Sequence, residues 1–144
     1  MNKLAPPLNF GVFKPVHHTV LAFRSEEALH LAQRQLLAQG FGAHTMVHYS
    51  AQEMQALAHA EMQAASPLAI FGYEITLLRA HQRLAEQGCA FLVVHAPASS
   101  QQQTLTRMVQ QLRPVSAQHY GHLLIEDLTE NPPGSDAERP ERVP

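Results

Sequence analysis

Short apolar runs alternate along the chain with longer stretches in which apolar residues return every three or four positions. "VHHTVLAF" (16–23), rich in β-branched and aromatic residues, predicts a strand. Ser25 then supplies an N-cap, and Glu26 and Glu27 stand where a helix dipole favours negative charge. Ala28, Leu29, Ala32 and Leu36 share one face of the helix that follows, and Gly40 ends it. "AHTMVHY" (43–49) predicts a second strand. Ser50 and Glu53 form a capping box that opens a helix carrying Met54, Leu57, Ala58 and Met62 on one side. Ser66 and Pro67 repeat the start signal for a long helix to Gln87, with Leu68, Phe71, Ile75, Leu78 and Ala85 in register and Gly72 as its weak point. Gly88 stops it ahead of the most apolar strand, "CAFLVVHA" (89–96). Ser99 or Ser100 caps a fourth helix bearing Leu105, Met108, Val109 and Leu112, which Pro114 closes. A last strand, irregular near Gly121, spans 115–128.

The predicted order is β-α-β-α-α-β-α-β, an α/β (α+β) chain of two strand-helix-strand halves joined by an extra helical pair. The simplest packing is a four-stranded sheet similar to the ferredoxin-like arrangement, with helices mainly on one face. The other face must then be polar, covered by the middle helices, or buried against a second subunit. Residues 1–15, broken by Pro and Gly, read as an extended N-terminal arm. Residues 16–130 form a single domain, and 131–144 ("NPPGSDAERPERVP") are too poor in aliphatic residues to offset ordering entropy, which predicts a disordered tail.

Composition narrows the function classes. A chain of 144 residues with 45% hydrophobic and 15% charged residues fits one globular domain, and no uninterrupted apolar run is long enough for a membrane span. The first residues, "MNKLAPPLNFGVFKPV", hold no continuous apolar segment of the secretory kind, and the single cysteine, Cys89, forms no internal disulfide; a cytoplasmic location is expected. A formal charge of −2 with scattered Lys and Arg gives no basic stripe, so nucleic acid is not an expected partner.

The segment "TVLAFRSEEALHLAQRQLLAQGF", followed at a distance by "GYEITLLRAHQRLAEQGCAFLVVHAP", resembles small bacterial α/β domains of the general-stress-protein type and related uncharacterised proteobacterial proteins. The shared features are a strand, an "EEA" helix start, a "GF" turn and a glycine before an apolar strand, across roughly residues 16–128. The resemblance implies a cytoplasmic, oligomeric, non-catalytic domain and carries no catalytic residues.

Ten histidines are the chain's chemical peculiarity. His44 and His48 would chelate from a helix, but in a strand they lie about 13 Å apart, far beyond a shared ion with Zn–N bonds of about 2.0–2.1 Å. Convergence between strands is the remaining route to zinc or nickel, for instance His17 with His95, or His48 with a neighbour. The metal candidates are therefore His17, His44, His48 and His95; the plainer reading is surface or interface histidines and no cofactor. His30, His59 and His81 read as solvated helix positions. Cys89 has no histidine close along its strand, no "GxSxG" elbow is present, and "GFG" (40–42) precedes a strand instead of a helix, so no catalytic residue is assigned. Tyr49, Tyr73, Glu74 and Tyr120 are candidates for a ligand or subunit interface on the second sheet face.

The leading expectation is a non-enzymatic cytoplasmic domain of stress-related or regulatory type acting as a homodimer or larger homo-oligomer. The alternatives are a transition-metal-binding or pH-responsive protein using cross-strand histidines, and a small-molecule enzyme with a site between the helical pair and the sheet.

Overall fold

The structure, a computed structural model, describes residues 8–9, 12–13, 16–64, 73–121 and 125–129. Its elements in chain order are β1 (Leu8–Asn9), β2 (Val12–Phe13), β3 (His18–Phe23), α1 (Glu26–Ala38), β4 (Met46–Tyr49), α2 (Ala51–Ala64), α3 (Tyr73–Glu86), β5 (Ala90–His95), α4 (Ser99–Leu112), β6 (Ser116–Tyr120) and β7 (Ile125–Asp127). A one-turn 3-10 helix, Ala43–Thr45, precedes β4.

Local chemistry sets most boundaries. Ser25 Oγ accepts from the Ala28 N–H at 3.1 Å. The Ser50–Glu53 capping box is reciprocal: the Ser50 N–H donates to Glu53 Oε1 at 2.9 Å, and the Glu53 N–H to Ser50 Oγ at 3.1 Å. Gly40 and Gly88 follow α1 and α3 with φ of 101° and 96°, values that penalise any side chain. The start of α4 differs from expectation. Ser99 is already helical, Ala98 stands at the cap, and the Gln101 side chain accepts from the Ala98 N–H at 2.9 Å.

The fold is mixed α/β, with a five-stranded antiparallel sheet in the order β4-β5-β3-β6-β7. β3 and β5 lie at its centre, pairing from His18↔His95 to Phe23↔Ala90. Because β3 and β4 both pair with β5, they run parallel to each other with β5 between them, and β5 and β6 flank β3 likewise. Two strand-helix-strand units thus interleave.

Alternation along the strands sends side chains to two separate cores. Leu21, Phe23, Leu92 and Val94 pack with Leu29 and Leu36 of α1 and Leu105 of α4. Val20, Ala22, Phe91 and Val93 pack with Met54 and Ala58 of α2 and Leu78 and Ala85 of α3. Helices therefore cover both faces, which corrects the expectation of helices mainly on one face. Both central strands are buried throughout residues 20–23 and 90–94 because neither has a wet side. Of the three possibilities for the second face, the structure shows coverage by the middle helices.

Strand count is the other difference. The segment 115–128 is not one irregular strand: β6 ends at Tyr120, and β7 returns antiparallel with Tyr120↔Ile125. Residues 8–13 hold a short antiparallel pair, Leu8↔Phe13, whose second strand lies against α2 and α3. The expected tail and the beginning of the long helix, residues 66–72, lie outside the described residues. Among the described residues no helix is long and apolar enough to cross a membrane.

Phe91 is fully buried between α3 and the sheet, so Phe91→Ala is expected to cost about 3–5 kcal/mol in chemical denaturation. Leu31→Ala, at a position 49% exposed on α1, should change stability by less than about 0.5 kcal/mol.

Candidate functional site: a histidine-lined hollow

The apolar run of the central strands ends where His18 of β3 faces His95 of β5. His17 determines that register. Its backbone is left-handed, with φ of 69°, its N–H donates to the Tyr120 carbonyl at 2.6 Å, and its carbonyl accepts from the Ala96 N–H at 2.8 Å. The turn is thereby tied to both neighbouring strands, and β3 starts two residues later than the sequence predicts. His18, not His17, is the residue opposite His95; this corrects the expected pairing.

The His18 and His95 rings stand 4.6 Å apart between centroids, tilted by 39°. His18 Nδ1 lies 2.8 Å from the Val16 carbonyl oxygen, which can only accept, so Nδ1 carries the proton and the neutral ring holds its lone pair on Nε2. His44 and Thr45 of the 3-10 turn complete a hollow of about 270 Å³ with these two rings. That turn is pinned by Thr45, whose N–H and hydroxyl both donate to the Gly42 carbonyl, at 2.9 and 2.6 Å. The His44 ring folds back over Gly42, where a Cβ would come within 2.7 Å of it.

His44 and His48 therefore part company, and three of the seven residues of the predicted strand form the 3-10 turn. His44 joins the hollow, while His48 projects from β4 to the α1 face. There His48 Nε2 lies 2.7 Å from Glu26 Oε1, and His30 Nε2 lies 3.8 Å from the same oxygen. The His30 and His48 rings are 5.7 Å apart. The 2.7 Å approach is an ion-pair contact without hydrogen-bond alignment: His48 Nε2 is buried and makes no hydrogen bond of good geometry among the described residues.

Tyr49 and Tyr120, candidates for a ligand or subunit interface, are 2% and 1% exposed and lie within the core under α2 and α3. Burial, with the Glu53 carboxylate adding to it, pushes the Tyr49 phenol up to about 12. The side chains of Tyr73 and Glu74 lie outside the described residues, as does His122.

Three polar side chains went unrecognised in the sequence. His81, expected in solvent, is 1% exposed; its Nε2 is 3.2 Å from Gln118 Oε1 on β6, and its ring meets Phe91 nearly edge-on at 5.5 Å. Its position was legible, since 78, 81 and 85 follow the apolar spacing of α3. His119 is buried on the opposite sheet face, with Nδ1 2.8 Å from Thr19 Oγ1. Glu61 is 8% exposed on the stripe shared by Met54 and Ala58, and burial raises its pKa. Desolvation lowers the pKa of His81 to about 4 against the weaker opposing bond from Gln118, and lowers that of His119, with the nearby His17 adding to the effect. Cys89 is buried, and desolvation raises its pKa, away from a reactive thiolate.

Among the described residues, no group of three or more His, Cys, Asp or Glu side chains is arranged to hold an ion as it stands. The chain matches no protein-family model, no curated protein and no solved structure.

Buried histidines make stability acid-sensitive. His81 has a folded-state value below its ordinary 6.5, so its neutral form contributes full stability above that pH and loses it as pH falls toward 4. At about 1.4 kcal/mol per unit the loss reaches about 3 kcal/mol, and His119 steepens the same limb. Urea titrations from pH 7 to 4 should show this slope, and it should flatten in His81→Leu while the His59→Ala profile keeps it.

Proposed function

We propose that the chain is a non-enzymatic α/β domain whose hollow binds a first-row transition-metal ion through His18 and His95, with His44 at hand as a third ligand. The observation that carries this reading is the 4.6 Å separation of two imidazoles on adjacent strands, one with its tautomer fixed by Val16. An imidazole ligand places its ring centroid about 3.2 Å from a bound ion, so two rings at right angles stand about 4.5 Å apart and two at the tetrahedral angle about 5.2 Å apart. The present spacing suits neighbouring positions of a tetragonal ion, copper(II) or nickel(II). The Nδ1–H contact to a backbone carbonyl is the kind of outer support that metal-bound histidines use.

The polar groups between the helical pair and the sheet favour this reading over an enzyme site. His81 Nε2 pairs with Gln118 Oε1 inside close packing, and at 1% and 6% exposure neither side chain is open to a substrate. We read the core as a ferredoxin-like sheet enlarged by β7 and by the inserted pair α2–α3. A stress-related or regulatory role in a cytoplasmic homo-oligomer, which the resemblance carries, suits such a site: an ion at the end of the sheet gives a domain two states without catalysis.

Tag-free protein titrated with nickel(II) or copper(II) in a calorimeter should take up an equivalent that the His18→Ala/His95→Ala variant loses. His59→Ala, at an exposed position of α2, should bind as the parent does. Retention of that equivalent by the double variant, or sub-stoichiometric uptake that added ion does not improve, would overturn the reading.

A further inference from the structure

We infer that Glu26, His30 and His48 form a second, separate site, selective for a tetrahedral divalent ion such as zinc. It does not depend on the hollow, which lies on the other side of the sheet's alternation: His18 and His95 follow the α2–α3 face, and His48 the α1 face.

Two elements supply the donors. Glu26 and His30 are one turn apart on α1, where positions four apart share a face, and His48 comes from the adjoining edge strand β4. Both imidazole Nε2 atoms approach a single carboxylate oxygen, at 2.7 and 3.8 Å. Ligand atoms on a tetrahedral zinc, with bonds of about 2.0–2.1 Å, are about 3.3 Å from one another, a value between those two distances. The ring centroids, 5.7 Å apart, stand within half an ångström of the about 5.2 Å that two tetrahedral imidazoles require. Two nitrogens and one carboxylate oxygen leave the fourth position to water, a donor set suited to zinc or cobalt(II).

The contact between His48 and Glu26 leaves too little room for an ion, which is why the trio does not form a cage as it stands. Opening it asks for a movement of about half an ångström in the Glu26 side chain, which is 45% exposed. His48 Nε2 supplies an independent indication: it is buried, aimed at a carboxylate, and without an aligned hydrogen bond among the described residues. An ion at that point gives both imidazoles and the carboxylate the partner they lack in pairs. It would also fasten the start of α1 to the edge of the sheet.

Cobalt(II) is the probe, because a tetrahedral site gives it an intense visible spectrum that an octahedral aquo ion lacks. The full chain carrying His18→Ala/His95→Ala, with its fold checked by circular dichroism, should bind one equivalent with that spectrum, and zinc should displace it. Glu26→Gln, His30→Ala and His48→Ala, each added to that background, should weaken uptake at least tenfold. In the unsubstituted chain, cobalt(II) should broaden the imidazole resonances of His30 and His48. Loss of all binding in the His18→Ala/His95→Ala chain, an octahedral spectrum, or uptake indifferent to His48→Ala would overturn the inference. The first of these outcomes would leave the hollow standing. Binding that His48→Ala abolishes and the double variant preserves would remove the hollow alone.

Discussion

The antiparallel pairing of β3 with β5 is the contact on which the other elements depend. Six residue pairs join them, and from Val20 to Phe23 and Ala90 to Val94 every side chain is buried on one face or the other. Such a pair is stable only if both faces are covered, since each uncovered aliphatic side chain forfeits about 1.5–3 kcal/mol. That demand places α1 and α4 on one side and the inserted helices on the other. It also determines where polar chemistry begins, because the ladder passes from apolar pairs through Thr19↔Val94 to His18↔His95 at its end.

Two neutral polar pairs are embedded within this apolar frame. Thr19–His119 ties β3 to β6 beneath α1 and α4, and His81–Gln118 ties α3 to β6 on the reverse face. Neighbouring residues of β6 thus serve opposite layers, as strand geometry requires. An uncharged imidazole can be buried for the desolvation cost of one polar ring, whereas an imidazolium there would add the far larger cost of burying a charge. The pairs also select a register: a one-residue slip of β6 would send His119 toward α3 and Gln118 away from it.

The described histidines accordingly divide by what surrounds them. His81 and His119 are sealed and neutral. His18 and His95 meet at the margin of a core, with no carboxylate among the described residues that line their hollow, while His30 and His48 gather about Glu26 where α1 begins. The same side chain thus stands in three settings, a buried hydrogen-bonded pair, a facing pair of rings and a cluster about a carboxylate, which differ in local desolvation and in the nearest charge.

The sequence by itself determined the helices and central strands, because caps and periodicity act over a few residues. Ser25, the Ser50–Glu53 box, Gly40 and Gly88 each work through their own backbone neighbourhood, and the apolar run of 89–96 required burial on two sides wherever the chain went. Tertiary structure alone decided that α2 and α3 would cover the second face, that β7 would turn back on β6, and which histidines would meet. Apart from the β6–β7 return, whose partners are close in sequence, those outcomes depend on residues far apart along the chain, and on a single left-handed residue, His17, whose conformation is held by bonds to Tyr120 and Ala96. Local pattern carries no information about such bonds, and a shift of one residue there exchanges the ring that faces His95.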